Sequence, residues 1–260
     1  MFRKRDAIEI KSPEQFTRMR AAGLVVATAL RAVSQAVTPG ITTKELDAIA
    51  HSCISEMGAT PSFLGYHGFP AVICTSVNDE VVHGIPGPRV LHEGDLISID
   101  CGAIVDGWHG DAAVSVPVGA VTAEVAELSR VTEASMWAGL AKARAGGRLS
   151  DIGHAVEQVI IAAGDYGIVE EYVGHGIGTS MHMHPPVPNY GKAGQGPHLK
   201  VGMALAIEPM VCLGGSDVGV LSDGWTVAAS DQRYAAHWEH TVAITEDGPW
   251  VLTAIEEVRL

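Results

Sequence analysis

The stretch LISIDCGAIVDGWHGDAAVSV, residues 96–116, decides how this chain is read. Most of it is apolar and suits a buried strand, yet it carries acids at Asp100, Asp106 and Asp111. A lone charge in an apolar strand is costly unless it is paired, neutralised or bound to a metal. No Lys or Arg lies between residues 93 and 116 to pair with these carboxylates. Asp106 falls in Val-Asp-Gly, ordinary hairpin-turn chemistry, and reads as structural. Asp100 and Asp111 need another partner.

Upstream of this stretch the helix signals are strong. Ser12-Pro13-Glu14-Gln15 joins an N-cap, a Pro at the first helical position and a capping-box glutamine. Phe16, Met19, Gly23, Val26, Leu30 and Val33 come after it at helical spacing, which predicts a long helix ending near Pro39-Gly40. Thr42-x-x-Glu45 is a second capping box, with Leu46, Ile49, Cys53 and Met57 as the apolar face and Gly58 as a stop. Downstream the order returns. A helical stretch runs from about Thr122 to Arg144, and a shorter one starts at Ser150, carries Ile152, Val156, Val159 and Ile160, and ends at Gly164.

The segment after each helix pair repeats too. VVHGIP (81–86) matches VGHGIG (173–178), and Gly94 precedes Asp100 by six residues as Gly202 precedes Glu208. Asp111 opens one alternating strand and Glu239, in EHTVAI, opens another. The chain therefore reads as a duplication with halves at about 12–120 and 121–255, forming one domain over 12–260 behind a tail of residues 1–11. If the copies pack about a pseudo-twofold axis, Asp100, Asp111, Glu208 and Glu239 converge. Four ionised carboxylates at close quarters repel strongly and require cations. Enough carboxylates to bridge, with His175 in its Gly-rich loop as an imidazole ligand, point to a pair of divalent first-row metals.

Asp100 and Asp111 in IDCGAIVDGWHGD, His175 in GHGIG, Glu208 in IEPM and Glu239 in WEHT resemble the five metal ligands of the bacterial type I methionine aminopeptidases. The resemblance runs from about residue 12 to 255. It implies the α+β pita-bread fold, curved antiparallel sheets backed by helices and related by the internal twofold. It implies that Asp100 chelates one ion, that His175 and Glu208 bind the other, and that Asp111 and Glu239 bridge. Cobalt, manganese, iron(II) or zinc would fill such a site, and a structural monovalent cation is compatible with the family. A water shared by two such ions is acidic enough to attack a peptide carbonyl near neutral pH. By the same resemblance Glu208 is also a proton shuttle, His182 stabilises the tetrahedral intermediate, and His83 lies near the scissile amide. His182 rather than His184 is seven positions beyond His175, as the motif requires. The methionine pocket is carried over onto Phe63, Tyr66, Phe69, Cys74, Met181 and Trp225.

The sequence departs from the family pattern at three places. Gly102 stands where a hydroxyl-bearing residue is common two places after the first aspartate, His184 where an acid is common, and His237 where a glutamine often precedes the bridging glutamate by two. His237 is expected to tune the surroundings of the metals. X-Pro aminopeptidases and prolidases share the ligands but generally carry a substantial extra N-terminal domain, and only about a dozen residues precede the first helix here. Type II methionine aminopeptidases carry a helical insertion for which residues 175–239 leave little room. A relative that has become a pure binding module would be expected to lack ligands, and none is missing.

The bulk properties agree. With 260 residues, 47% hydrophobic, the chain can bury a large core. A formal charge of −13 argues against direct nucleic-acid binding. The basic run Arg3-Lys4-Arg5 reads as a solvated tail. No apolar run spans a bilayer and no signal peptide opens the chain. Four scattered cysteines suggest reduced thiols in a core rather than disulfides or a zinc knuckle. The expectation is a cytoplasmic monomer that removes the initiator methionine from nascent polypeptide N-termini, prefers a small second residue and comes transiently near the ribosome.

Overall fold

The computed structural model describes residues 7–260, so the Arg3-Lys4-Arg5 run lies outside the described residues. Helices α1 (Pro13–Ala36) and α2 (Thr43–Glu56) form where the capping boxes place them. Ser12 Oγ accepts from the Gln15 N–H while Gln15 Oε1 accepts from the Ser12 N–H, and Thr42 and Glu45 do the same for α2. The α1 face is as expected, with Phe16, Met19, Gly23, Val26, Leu30 and Val33 all buried. The α2 face is turned by one position. Leu46, Ala50 and Ile54 are buried, whereas Met57, expected to line that face, is 44% exposed at the C-cap. Alanine at 50 gives that face little hydrophobic weight in the sequence, yet it is fully buried in the first core.

Helices α3 (Ala123–Lys142) and α4 (Ser150–Ala163) repeat the arrangement. Each pair backs its own end of one large antiparallel sheet. The first core gathers Val26, Leu30, Leu46 and Ile54 against Ile73, Ile97 and Ile99. The second gathers Met136, Leu140 and Ile152 against Leu205, Ile207, Val242 and Ile244. Gly23 lets α1 lie directly on the backbone: a Cβ there would stand 2.1 Å from the Leu252 carbonyl oxygen. Residues 7–11 also reach the second half, where the Lys11 N–H donates to the Gly202 carbonyl at 2.7 Å and Ile8 packs on the second core.

The sheet is organised around the opening hairpin. Strands Leu96–Val105 and Trp108–Pro117 pair along their whole length, from Leu96 opposite Pro117 to Val105 opposite Trp108. Asp106 and Gly107 turn the corner with φ of 49° and 78°, the pair of left-handed residues that a tight hairpin matched to strand twist demands. Trp108–Pro117 then pairs with Glu239–Thr245, which joins the two halves. Glu239–Thr245 pairs with Ala204–Ile207, and that strand with Gly174–Gly176. Thr241 fastens the seam, its Oγ1 donating to the Asp111 carbonyl at 2.8 Å and accepting from the Asp111 N–H at 3.1 Å. Among the described residues no helix is long and apolar enough to cross a membrane.

Candidate metal centre and adjoining cavity

Register puts the acids on one face. Asp100 is opposite Ala113 and Asp111 opposite Gly102, so in a period-two ladder both carboxylates project the same way. Ala113 also faces Glu239 across the next pairing, which extends the row. His240 is opposite Ile207 and His175 opposite Ala206, so Glu208, just past its strand, and His175 fall on that face too. Pairing of the two halves thus gathers five side chains that are up to 139 residues apart in the chain.

The separations within this group are short. His175 Nε2 lies 3.4 Å from Glu208 Oε1 and 3.8 Å from Asp111 Oδ2. Ligand atoms of Asp111, His175 and Glu239 all lie within 4.8 Å of one another. His175 Nδ1 is 3.0 Å from the Gly176 carbonyl, which can only accept, so Nδ1 carries the proton and Nε2 turns a lone pair toward the carboxylates. Asp100 Oδ1, Asp111 Oδ1 and Glu239 Oε1 are buried without a hydrogen-bond partner among the described residues.

The electrostatics are those of a centre that expects positive charge. Burial raises Asp100 to about 7 and Glu208 to about 8, and it lifts Glu239 and Asp111 well above the carboxylate range, with neighbouring acids adding to the effect. Burial also depresses His175 to about 3, leaving a neutral imidazole able to ligate. Clustered, orphaned carboxylate oxygens and one oriented imidazole fit divalent cations, whose charge would replace the protons these acids otherwise hold.

A cavity of about 290 Å³ opens beside the cluster. Of the pocket residues expected from sequence, Phe63, Tyr66, Phe69, Cys74 and Trp225 line it, with the Phe69 and Trp225 rings edge-on at 5.1 Å. Met181 is fully buried in the same apolar cluster as Phe63 and Cys74. Gly102 is explained by this packing: a Cβ there would meet Ser62 Cβ at 2.8 Å and Phe63 Cε1 at 2.9 Å, so a hydroxyl-bearing side chain has no room. Both histidines expected at the reaction centre line the cavity. His182 Nδ1 is 2.8 Å from the Tyr66 hydroxyl, and its ring centroid is 4.3 Å from that of His175. His83 sits edge-on to Tyr172 at 5.7 Å, and burial lowers it to about 4. His184 instead lines a neighbouring groove.

His67 also lines the cavity, although nothing in the sequence pattern marks it. It lies between the pocket residue Tyr66 and Gly68 in a short turn, at φ 49°, and its spacing obeys no helix or strand period. Its closeness in the chain to Tyr66 and Phe69 is the only signal that could have found it. His237, expected from sequence to tune the metals' surroundings, approaches Glu208 Oε2 to 3.6 Å.

Known proteins match this chain over most of its length. The model of metallopeptidase family M24 matches residues 17–246. Methionine aminopeptidase 1 of Mycobacterium tuberculosis is 53% identical over 257 residues, covering 96% of this chain and 97% of the relative. Methionine aminopeptidase 1 of Bacillus subtilis is 49% identical, covering 94% and 98%. Among solved structures, methionine aminopeptidase from Rickettsia prowazekii superposes with a TM-score of 0.93 at 40% identity, covering 95% of this chain and all of that one. The prolidase from Pyrococcus furiosus, 23% identical with a TM-score of 0.77, shares the fold, and the match takes in 66% of its length. The curved antiparallel sheet with two helix pairs is the pita-bread fold expected from the sequence.

Proposed function

The chain belongs to metallopeptidase family M24, and from that premise we propose that it is an aminopeptidase releasing the N-terminal methionine of proteins and peptides, with a preference for a small second residue. The observation that carries this reading is an apolar cavity of about 290 Å³ opening onto the carboxylate and histidine cluster. Phe63, Phe69, Cys74 and Trp225 offer an unbranched thioether side chain apolar walls on several sides. A cavity of this size has room for one side chain, that of the substrate's first residue on this reading.

Asp100, Asp111, His175, Glu208 and Glu239 would hold two divalent ions, among cobalt, manganese, iron(II) and zinc. When bound, these supply Lewis acidity and a water acidic enough to act as nucleophile near neutral pH. Glu208, beside His175 at 3.4 Å and lining the cavity, would be placed to take the proton released on attack and return it to the departing amine. His182, oriented through Nδ1 by Tyr66, presents its other nitrogen to the developing oxyanion. His83, kept neutral by burial, donates a hydrogen bond beside the scissile amide without adding positive charge. On this reading the substrates are newly made polypeptides in the cytoplasm, the protein acts as a monomer, and contact with the ribosome is transient.

The test is direct. The protein is stripped of metal, each divalent ion is added back singly, and Met-Ala-Ser is offered beside an X-Pro peptide. Metal-dependent release of methionine is expected. Release from the X-Pro peptide without release of methionine would overturn the assignment in favour of the prolidase-type chemistry that shares this fold.

A further inference from the structure

A second imidazole reaches the same cluster: His175 approaches one oxygen of Glu208 and His237 the other. His237 ends the strand Ala235–His237, two residues before Glu239, and is 1% exposed. Its backbone is held at both ends: the N–H donates to Ser115 Oγ at 3.0 Å and to Ser98 Oγ at 3.3 Å, and the carbonyl accepts from Ser115 Oγ at 2.9 Å. Burial of the side chain, 1% exposed, leaves the ring little room to turn away. Its Nε2 is buried with no hydrogen-bond partner among the described residues. At 3.6 Å, Glu208 Oε2 is too distant to be that partner.

That separation suits two ligands of one cation. Donors that each sit about 2.0–2.2 Å from a shared ion stand roughly 3–4 Å apart, and His175 Nε2 stands 3.4 Å from the other Glu208 oxygen. Ligand atoms of His237, Glu208 and Glu239 lie within 4.8 Å of one another, as do those of Asp111, His175 and Glu239, and Glu239 belongs to both sets. Resting on the reading of this site as a metal centre, we propose that His237 is itself a metal ligand, its Nε2 holding a divalent cation together with Glu208 and Glu239. The chain then offers an imidazole to each oxygen of Glu208. A glutamine at 237 would offer only an amide oxygen. The extra nitrogen donor biases the centre toward zinc, cobalt and iron(II) over manganese and magnesium.

The experiment uses the full chain stripped of metal and titrated with cobalt(II) alone or manganese(II) alone. Proton NMR of the cobalt-loaded wild type should show two hyperfine-shifted, exchangeable imidazole N–H signals, and one in His237→Gln. His237→Gln should weaken cobalt binding by more than the about 10–100-fold that losing an outer hydrogen-bond partner costs, with a smaller loss for manganese. His175→Gln should keep the His237 signal, so the assignment does not depend on one variant's folding. A single shifted N–H in the wild type, or cobalt affinity and signal count unchanged in His237→Gln, would overturn the inference while leaving the metal centre standing. Failure of the wild type to bind cobalt at all would overturn both.

Discussion

The two halves of the molecule carry the same tripeptide, His-Gly-Ile, and use it differently. His175 lies within the strand Gly174–Gly176 of the large sheet, its Nδ1 committed to a neighbouring carbonyl and its Nε2 within 4 Å of two carboxylates. His83 comes just after the strand Glu80–Val82, which belongs to a separate three-stranded sheet, and its φ of 62° turns it toward Tyr172 and the cavity. The same tripeptide takes on the chemistry of the element that hosts it. In the large sheet it joins the row of acids, and in the small one it faces the space that a substrate would fill.

The helices differ in a related way. In the first half α1 and α2 both start with complete capping boxes, so their ends are specified by four consecutive residues. In the second half α3 has a single Thr122 cap, and α4 starts after Leu149 with no side-chain cap on its own first turn. That end is secured from outside, with Ser150 Oγ accepting from the Gln195 N–H and Asp151 Oδ1 from the Gly194 N–H. The first half states its helix starts locally, whereas α4 adds to a local tie, Asp151 Oδ2 accepting from the Arg148 N–H, a loop more than 40 residues away.

The contrast between the two histidines can be broken by substitution. His175→Ala should lower kcat/KM for methionine release by about 10³-fold or more and reduce bound metal. His83→Ala should cost about 10²-fold with metal content unchanged. Steady-state kinetics alongside metal analysis separates them, and equal loss of metal in both variants would erase the distinction between the two halves.

A smaller effect should appear in stability against pH. Above about pH 7.5, histidines with depressed values, such as His175 at about 3 and His83 at about 4, are largely neutral in both folded and unfolded chains. There Glu208, at about 8, and Asp111 and Glu239, held well above the carboxylate range, still carry protons that the unfolded chain has lost. The folded, metal-free protein therefore binds more protons, and its stability falls as pH rises from about 7.5 to about 9 through the folded value of Glu208. Urea midpoints in chelator should drop across this window, while with manganese the drop should shrink to the part set by the buried thiols Cys74, Cys101 and Cys212, because the acids are already ionised on the metals. A midpoint that rises with pH in chelator would show that these carboxylates are not protonated when metal-free.

The smallest effect concerns the caps. Ser12→Ala should destabilise the protein by about 1 kcal/mol. Ser150→Ala, which removes a tie to a loop rather than a capping box, should cost less at equilibrium and more in the protection of the Gln195 amide. Thermal melts and hydrogen exchange read the two. The reverse order would mean that α4 depends on its own first residues after all.

Residue spacing by itself determined the four helices and the Asp106-Gly107 turn and marked out the acids that the sheet brings together, because capping, turn chemistry and periodicity act over a few neighbouring positions. The turned face of α2 and the loss of a hydroxyl at Gly102 were decided by packing, since Ala50 and Gly102 matter for what lies against them rather than for what they are. His67 and the direct approach of His237 to Glu208 likewise came only with the tertiary structure. A strand period says which face a side chain takes, but the distance between two side chains on that face depends on which strands pair and in what register, and that is settled only when the whole sheet closes.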